Sequence, residues 1–127
     1  MAHDVLDDAE QLLEAALALA PDHPATRYDY AQTLLQRHKY SQARDQANRL
    51  LAADPRNLDY RSLAATAAVG LGDHDVAIAF YRDMLVDLPD SPDVQLWLAH
   101  ALKTIGQVPE AIDALSLIHI SEPTRPY

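Results

Sequence analysis

A spacing of 34 residues runs through this chain and limits its possible folds more than any other feature. Four columns of identical residues share one register. The columns are Pro21, Pro55 and Pro89; Leu17, Leu51 and Leu85; Ala31, Ala65 and Ala99; and Ala9, Ala43, Ala77 and Ala111. Small residues within a unit and a proline at its boundary are typical of a repeated pair of helices. The spacing therefore predicts an all-α fold built from one repeated element.

The columns resemble those of tetratricopeptide repeats (TPR), a family with a 34-residue helix–turn–helix unit. The resemblance covers about Asp4 to Leu115, nearly the whole chain. It implies an α-solenoid of antiparallel helix pairs, about seven helices wound as a right-handed superhelix. On this register residues 1–115 form the array: a half repeat over 4–23, repeats over 24–57 and 58–91, and a truncated repeat over 92–115.

Capping residues indicate where several helices begin. We expect side-chain caps at Ser41, Asn57, Asp73 and Ser91, because short polar side chains accept hydrogen bonds from the first turn. In the helix over 4–20, an apolar stripe is expected to face the core; it comprises Leu6, Leu12, Leu13, Ala16, Leu17 and Leu19. The acidic residues near its start suit the positive end of the helix dipole; they are Asp4, Asp7, Asp8 and Glu10.

Composition excludes several classes of partner. The formal net charge is −9, from 19 acidic and 10 basic residues, and this disfavours nucleic acid, whose phosphates require clustered cations. No cysteine is present, which removes disulfides and thiolate metal sites. No stretch has the length and apolarity of a membrane span, and the N-terminus lacks the pattern of a signal peptide. A soluble, cytoplasmic protein is expected.

No constellation of residues predicts chemistry. The six histidines include no pair at i,i+4 on one helix and no neighbouring cysteine, so zinc-ligand spacing is absent. Paired carboxylates need a pocket that tunes their pKa values, and short helical repeats offer a shallow groove. We therefore expect no catalytic site, no cofactor, no metal and no enzymatic activity.

The resemblance to TPR proteins implies that the first helix of each repeat lines a concave groove that binds a peptide or helix. Carried over by position, the groove residues are Tyr28, Asp29, Gln32, Gln36, Ser62, Thr66, Trp97, His100 and Lys103. Trp97 is the sharpest candidate, since tryptophan is enriched in binding hot spots. The alternative, that Trp97 packs between adjacent repeats, is equally consistent with the sequence.

One TPR subset clamps the acidic C-termini of heat-shock chaperones with cationic and amide side chains. The matching positions here are Tyr28, Gln32, Leu63, Asp93 and Trp97. None of these is a cation, and Asp93 reverses the charge, so an anionic tail would find no charge-assisted partner. A neutral or basic protein or peptide partner is predicted instead.

The C-terminal run has a second resemblance. Leu115 to Arg125 resembles the translation of a transposon-end sequencing adapter, so we interpret residues 116–127 as a non-native tail. The natural protein is then expected to continue past about Leu115.

Three functions remain open from sequence. The leading one is a protein-interaction scaffold. The second is a non-catalytic N-terminal arm of a larger enzyme, because the Ala/Leu-rich repeats and the run Leu98 to Gly106 resemble segments that precede sulfotransferase domains in some bacterial proteins. The third is self-association through the truncated ends, where Leu115, Leu117, Ile118 and Ile120 form an apolar run.

Overall fold

The computed structural model describes the backbone of residues 5–120 and the side chains of residues 5–115. Seven α-helices and no strand lie in that range, which confirms the all-α class. The helices are α1 (Val5–Leu19), α2 (Pro24–Gln36), α3 (Tyr40–Ala53), α4 (Leu58–Leu71), α5 (His74–Asp87), α6 (Pro92–Thr104) and α7 (Val108–Ile120). The connecting corners are short, as in antiparallel helix hairpins.

The helices group into two compact units. The first unit, Met1–Leu71, contains α1 to α4; α2 packs against α1, α3 and α4, and α3 also packs against α4. The second unit, Gly72–Tyr127, contains α5 to α7, with α6 packed against both neighbours. The division falls inside the predicted repeat 58–91, and the repeat boundaries stay a prediction. The predicted tail starts within α7, and its residues 121–127 lie outside the described part.

Side-chain caps start three helices at positions 34 residues apart. His23 Nδ1 accepts from the Thr26 backbone N–H at 3.2 Å, and Asn57 Oδ1 accepts from the Tyr60 N–H at 3.1 Å. Ser91 Oγ accepts from the Val94 N–H at 3.4 Å. The caps predicted at Asn57 and Ser91 are thus confirmed. Each satisfies a backbone donor that the first turn leaves without a partner.

The caps predicted for α3 and α5 are wrong. Helix α3 begins at Tyr40 with Lys39 at the N-cap position, so Ser41 lies inside the first turn. Asp73 occupies the N-cap position of α5, but its side chain makes no capping hydrogen bond. In both cases the helix follows directly on a left-handed residue, whose backbone sets the start.

That left-handed residue recurs at His38, Gly72 and Gly106, again 34 residues apart, with φ of 60°, 81° and 87°. At the first of these sites, the Lys39 N–H donates to Leu34 O at 2.9 Å and the His38 N–H donates to Leu35 O at 3.0 Å. This pair of bonds is the Schellman end of a helix. Gly106 and the residue after it make the same two bonds at 3.0 and 2.9 Å.

A third recurring device holds the corner before each first helix. Arg27 Nη2 donates to the carbonyl of Pro21 at 2.7 Å, and Arg61 Nη2 donates to the carbonyl of Arg56 at 2.6 Å. In the second unit, Gln95 Nε2 donates to the carbonyl of Pro89 at 3.0 Å. Arg61 and Gln95 are almost completely buried. Each donor satisfies a corner carbonyl that the helices do not use.

The column alanines lie in the core, as the register predicts. Ala31 and Ala65 are 0% exposed and Ala99 is 4% exposed. The stripe predicted on α1 is wrong at two positions. Leu6, Leu13 and Leu17 are partly buried, but Leu12 and Leu19 are 71% and 89% exposed. The two exposed leucines lie on the face of α1 opposite Glu10, which is buried.

Candidate functional site

The first unit brings five of the predicted groove residues together. Tyr28, Gln32 and Gln36 come from α2, while Ser62 and Thr66 come from α4. With Leu35, Asp59 and Leu63 they line a cleft of about 240 Å³, called here the polar cleft. The spacings 28/32/36 and 62/66 place each set along one face of its helix, and the packing of α4 against α2 joins the two faces.

The lining of the polar cleft is dominated by amides and hydroxyls. Gln32 Nε2 donates to the Tyr28 hydroxyl at 3.2 Å, which orders the first turn of the cleft. Thr66 Oγ1 donates to the carbonyl of Ser62 at 2.9 Å, so its oxygen is left facing outward as an acceptor. Gln32 and Gln36 are exposed. The arrangement can both donate and accept hydrogen bonds along its length.

A second concavity of about 330 Å³ adjoins the polar cleft and shares Tyr28 and Asp59 with it. We call it the tyrosine pocket; it is lined by Pro24, Ala25, Tyr28, Asp29, Asn57, Asp59 and Tyr60. The rings of Tyr28 and Tyr60 lie 5.9 Å apart at 41°. This pocket contains Asp29, the sixth predicted residue of the first unit, which does not line the polar cleft itself.

The tyrosine pocket carries negative potential. No Lys or Arg lines it, whereas two carboxylates do. Burial raises the pKa of the Tyr28 hydroxyl above its usual 10, and the charges of Asp59 and Asp29 raise it further. The hydroxyl therefore stays protonated at neutral pH and remains a hydrogen-bond donor.

Asp59 and Tyr60 are functional candidates that sequence reasoning missed. Both sit in the first turn of α4, where an acidic residue is readily explained by the helix dipole. The signal that was available is the spacing of Asp59, Ser62 and Thr66, which lie on one helix face at i, i+3 and i+7.

The three predicted residues of α6 do not share one site. His100 and Lys103 line a concavity of about 250 Å³ between α6 and α7, together with Leu96, Ala99, Val108, Ala111, Ile112 and Leu115. We call this the α6–α7 groove. Trp97 does not line it. The Trp97 ring lies 6.1 Å from the ring of Tyr81 in α5 and is 40% exposed, so it packs within the second unit and also meets solvent.

The acidic start of α1 does more than complement a helix dipole. Glu10 is buried and accepts from Lys39 Nζ at 2.8 Å and Arg37 Nε at 3.2 Å. Asp7 accepts from Arg37 Nη1 at 2.9 Å. These ion pairs join α1 to the corner between α2 and α3, so two of the four acids have a structural partner.

Other kinds of site have no support in the described residues. Across residues 5–120, no three His, Asp or Glu side chains are grouped as a metal site would need. No helix in the same range has both the length and the apolar character needed to cross a bilayer.

These features define a class of protein before any relative is considered. Helix hairpins in a 34-residue register, with a shallow polar cleft on the first helices, are the architecture of a helical-repeat interaction scaffold. The family model of the cytochrome c-type biogenesis protein H TPR domain matches residues 1–95, and a tetratricopeptide repeat model matches residues 68–127. The chain belongs to the tetratricopeptide repeat family.

Individual relatives agree on the fold. The chain is 35% identical over 95 residues to the beta-barrel assembly-enhancing protease of Yersinia pestis, matching 75% of this chain and only 19% of that protein. Among solved structures, MamA of MSR-1 has a TM-score of 0.82 at 26% identity, covering 92% of this chain and 67% of that one. A thermophilic TPR protein of Thermus thermophilus has a TM-score of 0.74 at 24% identity, covering 94% and 67%.

Proposed function

We propose that this chain is a protein-interaction scaffold whose polar cleft binds an extended peptide. The observation that carries the proposal is that Tyr28, Gln32, Gln36, Ser62 and Thr66 line one concavity. Neutral amides and hydroxyls match the alternating N–H and C=O groups of a peptide backbone, because each can donate or accept. Recognition of the backbone rather than of a particular side chain gives modest affinity and broad tolerance of sequence.

The tyrosine pocket gives this proposal a preferred side chain. A Lys or Arg side chain entering there would meet the carboxylates of Asp29 and Asp59 and the faces of Tyr28 and Tyr60. A cation over an aromatic ring and a charge-assisted hydrogen bond both favour a basic residue. This supports the basic side of the predicted partner class, and Trp97 is proposed as a further partner contact on α6.

The test is affinity for a defined probe. Peptides of twelve residues selected by phage display on the wild-type chain are labelled, and binding is measured by fluorescence anisotropy. Replacing both glutamines (Gln32→Ala with Gln36→Ala) removes two hydrogen-bonding side chains, each worth about 1 kcal/mol. We expect affinity to fall roughly tenfold or more.

The matched control is Gln42→Ala, which removes an exposed glutamine of α3 that does not line the cleft. It should bind the probe like wild type, and circular dichroism should show equal helicity in all variants. Unchanged affinity of the double variant, or failure of the selection to yield any binder, would contradict the proposed site.

A second candidate is that these repeats form a non-catalytic arm of a longer polypeptide. The favouring observation is the protease relative of Yersinia pestis, of which the chain spans about a fifth. The link to sulfotransferase-bearing proteins and the cytoplasmic location stay predictions. Reading the source genome beyond the codon for Leu115 tests the arm directly, because a stop codon at that point excludes it.

A further inference from the structure

The strongest apolar concavity in the described residues is the α6–α7 groove. Four large side chains that line it are substantially exposed: Leu96 at 42%, Val108 at 48%, Ile112 at 57% and Leu115 at 40%. They stand on two helices, so they form the two walls of a trough rather than a scatter of single surface residues. Contiguous exposed apolar surface of this kind marks an interaction site.

The 34-residue register shows what such a trough accommodates. Subtracting 68 from the α7 positions 108, 111, 112 and 115 gives 40, 43, 44 and 47 on α3. There Ala43 and Ala47 are 1% and 0% exposed, and α4 packs against both α2 and α3. The equivalent trough in the first unit is therefore filled by a helix.

The chain carries a helix face suited to this place. On α1, Val5, Leu12 and Leu19 are exposed at 70%, 71% and 89%. Their spacing of seven residues sets them in one line along the helix, with only about 20° of drift per step. The residues between and beside them on that face include Ala15 and Ala16, so the face is a narrow ridge of leucine-sized knobs. A ridge of that form packs into the groove between two helices.

Charge also favours this pairing. The 15 residues of α1 include four acids and no Lys or Arg. The lining of the α6–α7 groove contains Lys103 and His100 and no acid. Attraction between the acidic helix and the basic rim therefore adds to apolar burial over the roughly 10 Å reach of charges at moderate salt.

We propose that α1 of one copy of this chain docks in the α6–α7 groove of a second copy, so that the protein self-associates head to tail. This goes beyond peptide binding and does not depend on it. The two surfaces differ, so the interface is heterologous and each copy keeps one free surface of each kind; association then continues to rings or filaments. One helix in one groove buries less than the roughly 800 Å² per partner of a standard interface, so dissociation constants on the order of 10–100 µM are expected.

The experiment is sedimentation velocity of the full chain between about 5 and 500 µM, a range that brackets dissociation constants of this order. Wild type is expected to shift from monomer to species larger than a dimer as concentration rises. Leu12→Asp blocks the ridge and Ile112→Asp blocks the groove; both residues are exposed, so both variants should fold, with circular dichroism as the check. Each variant alone should stay monomeric.

Mixing the two blocked variants in equal amounts gives the decisive result. The intact ridge of one and the intact groove of the other should form a dimer and nothing larger. Val86→Asp is the matched control, because Val86 is 73% exposed on α5 and belongs to neither surface; it should assemble like wild type. A wild-type chain that stays monomeric throughout, a Leu12→Asp variant that associates like wild type, or a mixture that stays monomeric would overturn the proposal.

Discussion

His38 adopts a backbone conformation that glycine supplies at positions 72 and 106. Its φ is 60°, and a left-handed conformation costs a side-chain-bearing residue roughly 1–2 kcal/mol. Glycine avoids that cost but loses more backbone entropy on folding. We predict that His38→Gly raises the free energy of unfolding by about 0.5–1 kcal/mol, measured by urea denaturation.

The reverse change is the natural comparison. Gly106→Ala places a Cβ on the equivalent position, where φ is 87° and no neighbouring atom lies within 4 Å of that Cβ. Any loss of stability then comes from the backbone alone, and about 1 kcal/mol is expected. If His38→Gly destabilises the protein, the hydrogen bond between His38 and the Tyr40 hydroxyl contributes more than its exposed position suggests.

Sequence reasoning worked for residues whose role is local. Asn57 and Ser91 cap helices because a short polar side chain before a helix has one obvious partner, the backbone of the next turn. It failed for Arg61 and Gln95, whose partners are carbonyls in a corner that exists only after folding. Asp59 was missed because its place in a first turn already had a sufficient explanation.

At the scale of elements, α1 depends on charged contacts more than the other described helices of its unit. Two of its leucines face solvent, and Glu10 accepts from both Lys39 and Arg37. Glu10→Gln removes the charge while keeping the shape of the side chain. We predict that α1 then opens more easily by about 1 kcal/mol, since a charge-assisted bond becomes a neutral one.

Hydrogen exchange measured by mass spectrometry resolves this change. Amides of α1 should exchange roughly five- to tenfold faster in Glu10→Gln, while those of α3 and α4 stay near wild type. Glu14→Gln, an exposed acid on the same helix, is the control and should leave α1 exchange unchanged. Equal acceleration in all helices would show that α1 opens only with the whole unit.

Element order and type followed from the 34-residue register, since its prolines and alanines fix where helices turn and touch. The start of α3 did not. Ser41 has a good capping side chain, yet the left-handed His38 brings the chain into helix one residue earlier, at Tyr40. The burial of α1 was also misjudged, because a helix with leucines on several faces has no single stripe that sequence can orient.

For the whole molecule, net charge decides which partners approach. The chain carries a formal charge of −9, and its tyrosine pocket concentrates two of the acids. We predict that Asp29→Asn with Asp59→Asn weakens binding of a selected Lys-containing peptide by about three- to tenfold at low salt, since exposed ion pairs and cation–π contacts each contribute modestly.

The salt dependence of the same titration separates local from general attraction. The double variant should lose most of the affinity change that wild type shows between low and physiological salt. Asp90→Asn, with one acid removed outside the pocket, gives the effect of net charge alone. An unaltered preference for Lys peptides in the double variant would exclude the tyrosine pocket as the basic-residue site, while leaving backbone binding in the polar cleft intact.

The cap, the left-handed residue and the corner-holding side chain all recur at the same interval, as His23, His38 and Arg27 do in the first unit. Every 34-residue block therefore carries its own instructions for turning. A gene that duplicated one block in frame would lengthen the protein without redesigning any joint, whereas an insertion of part of a block would separate a corner from the side chain that holds it. Growth of this chain by whole blocks is thus the simplest route open to its evolution.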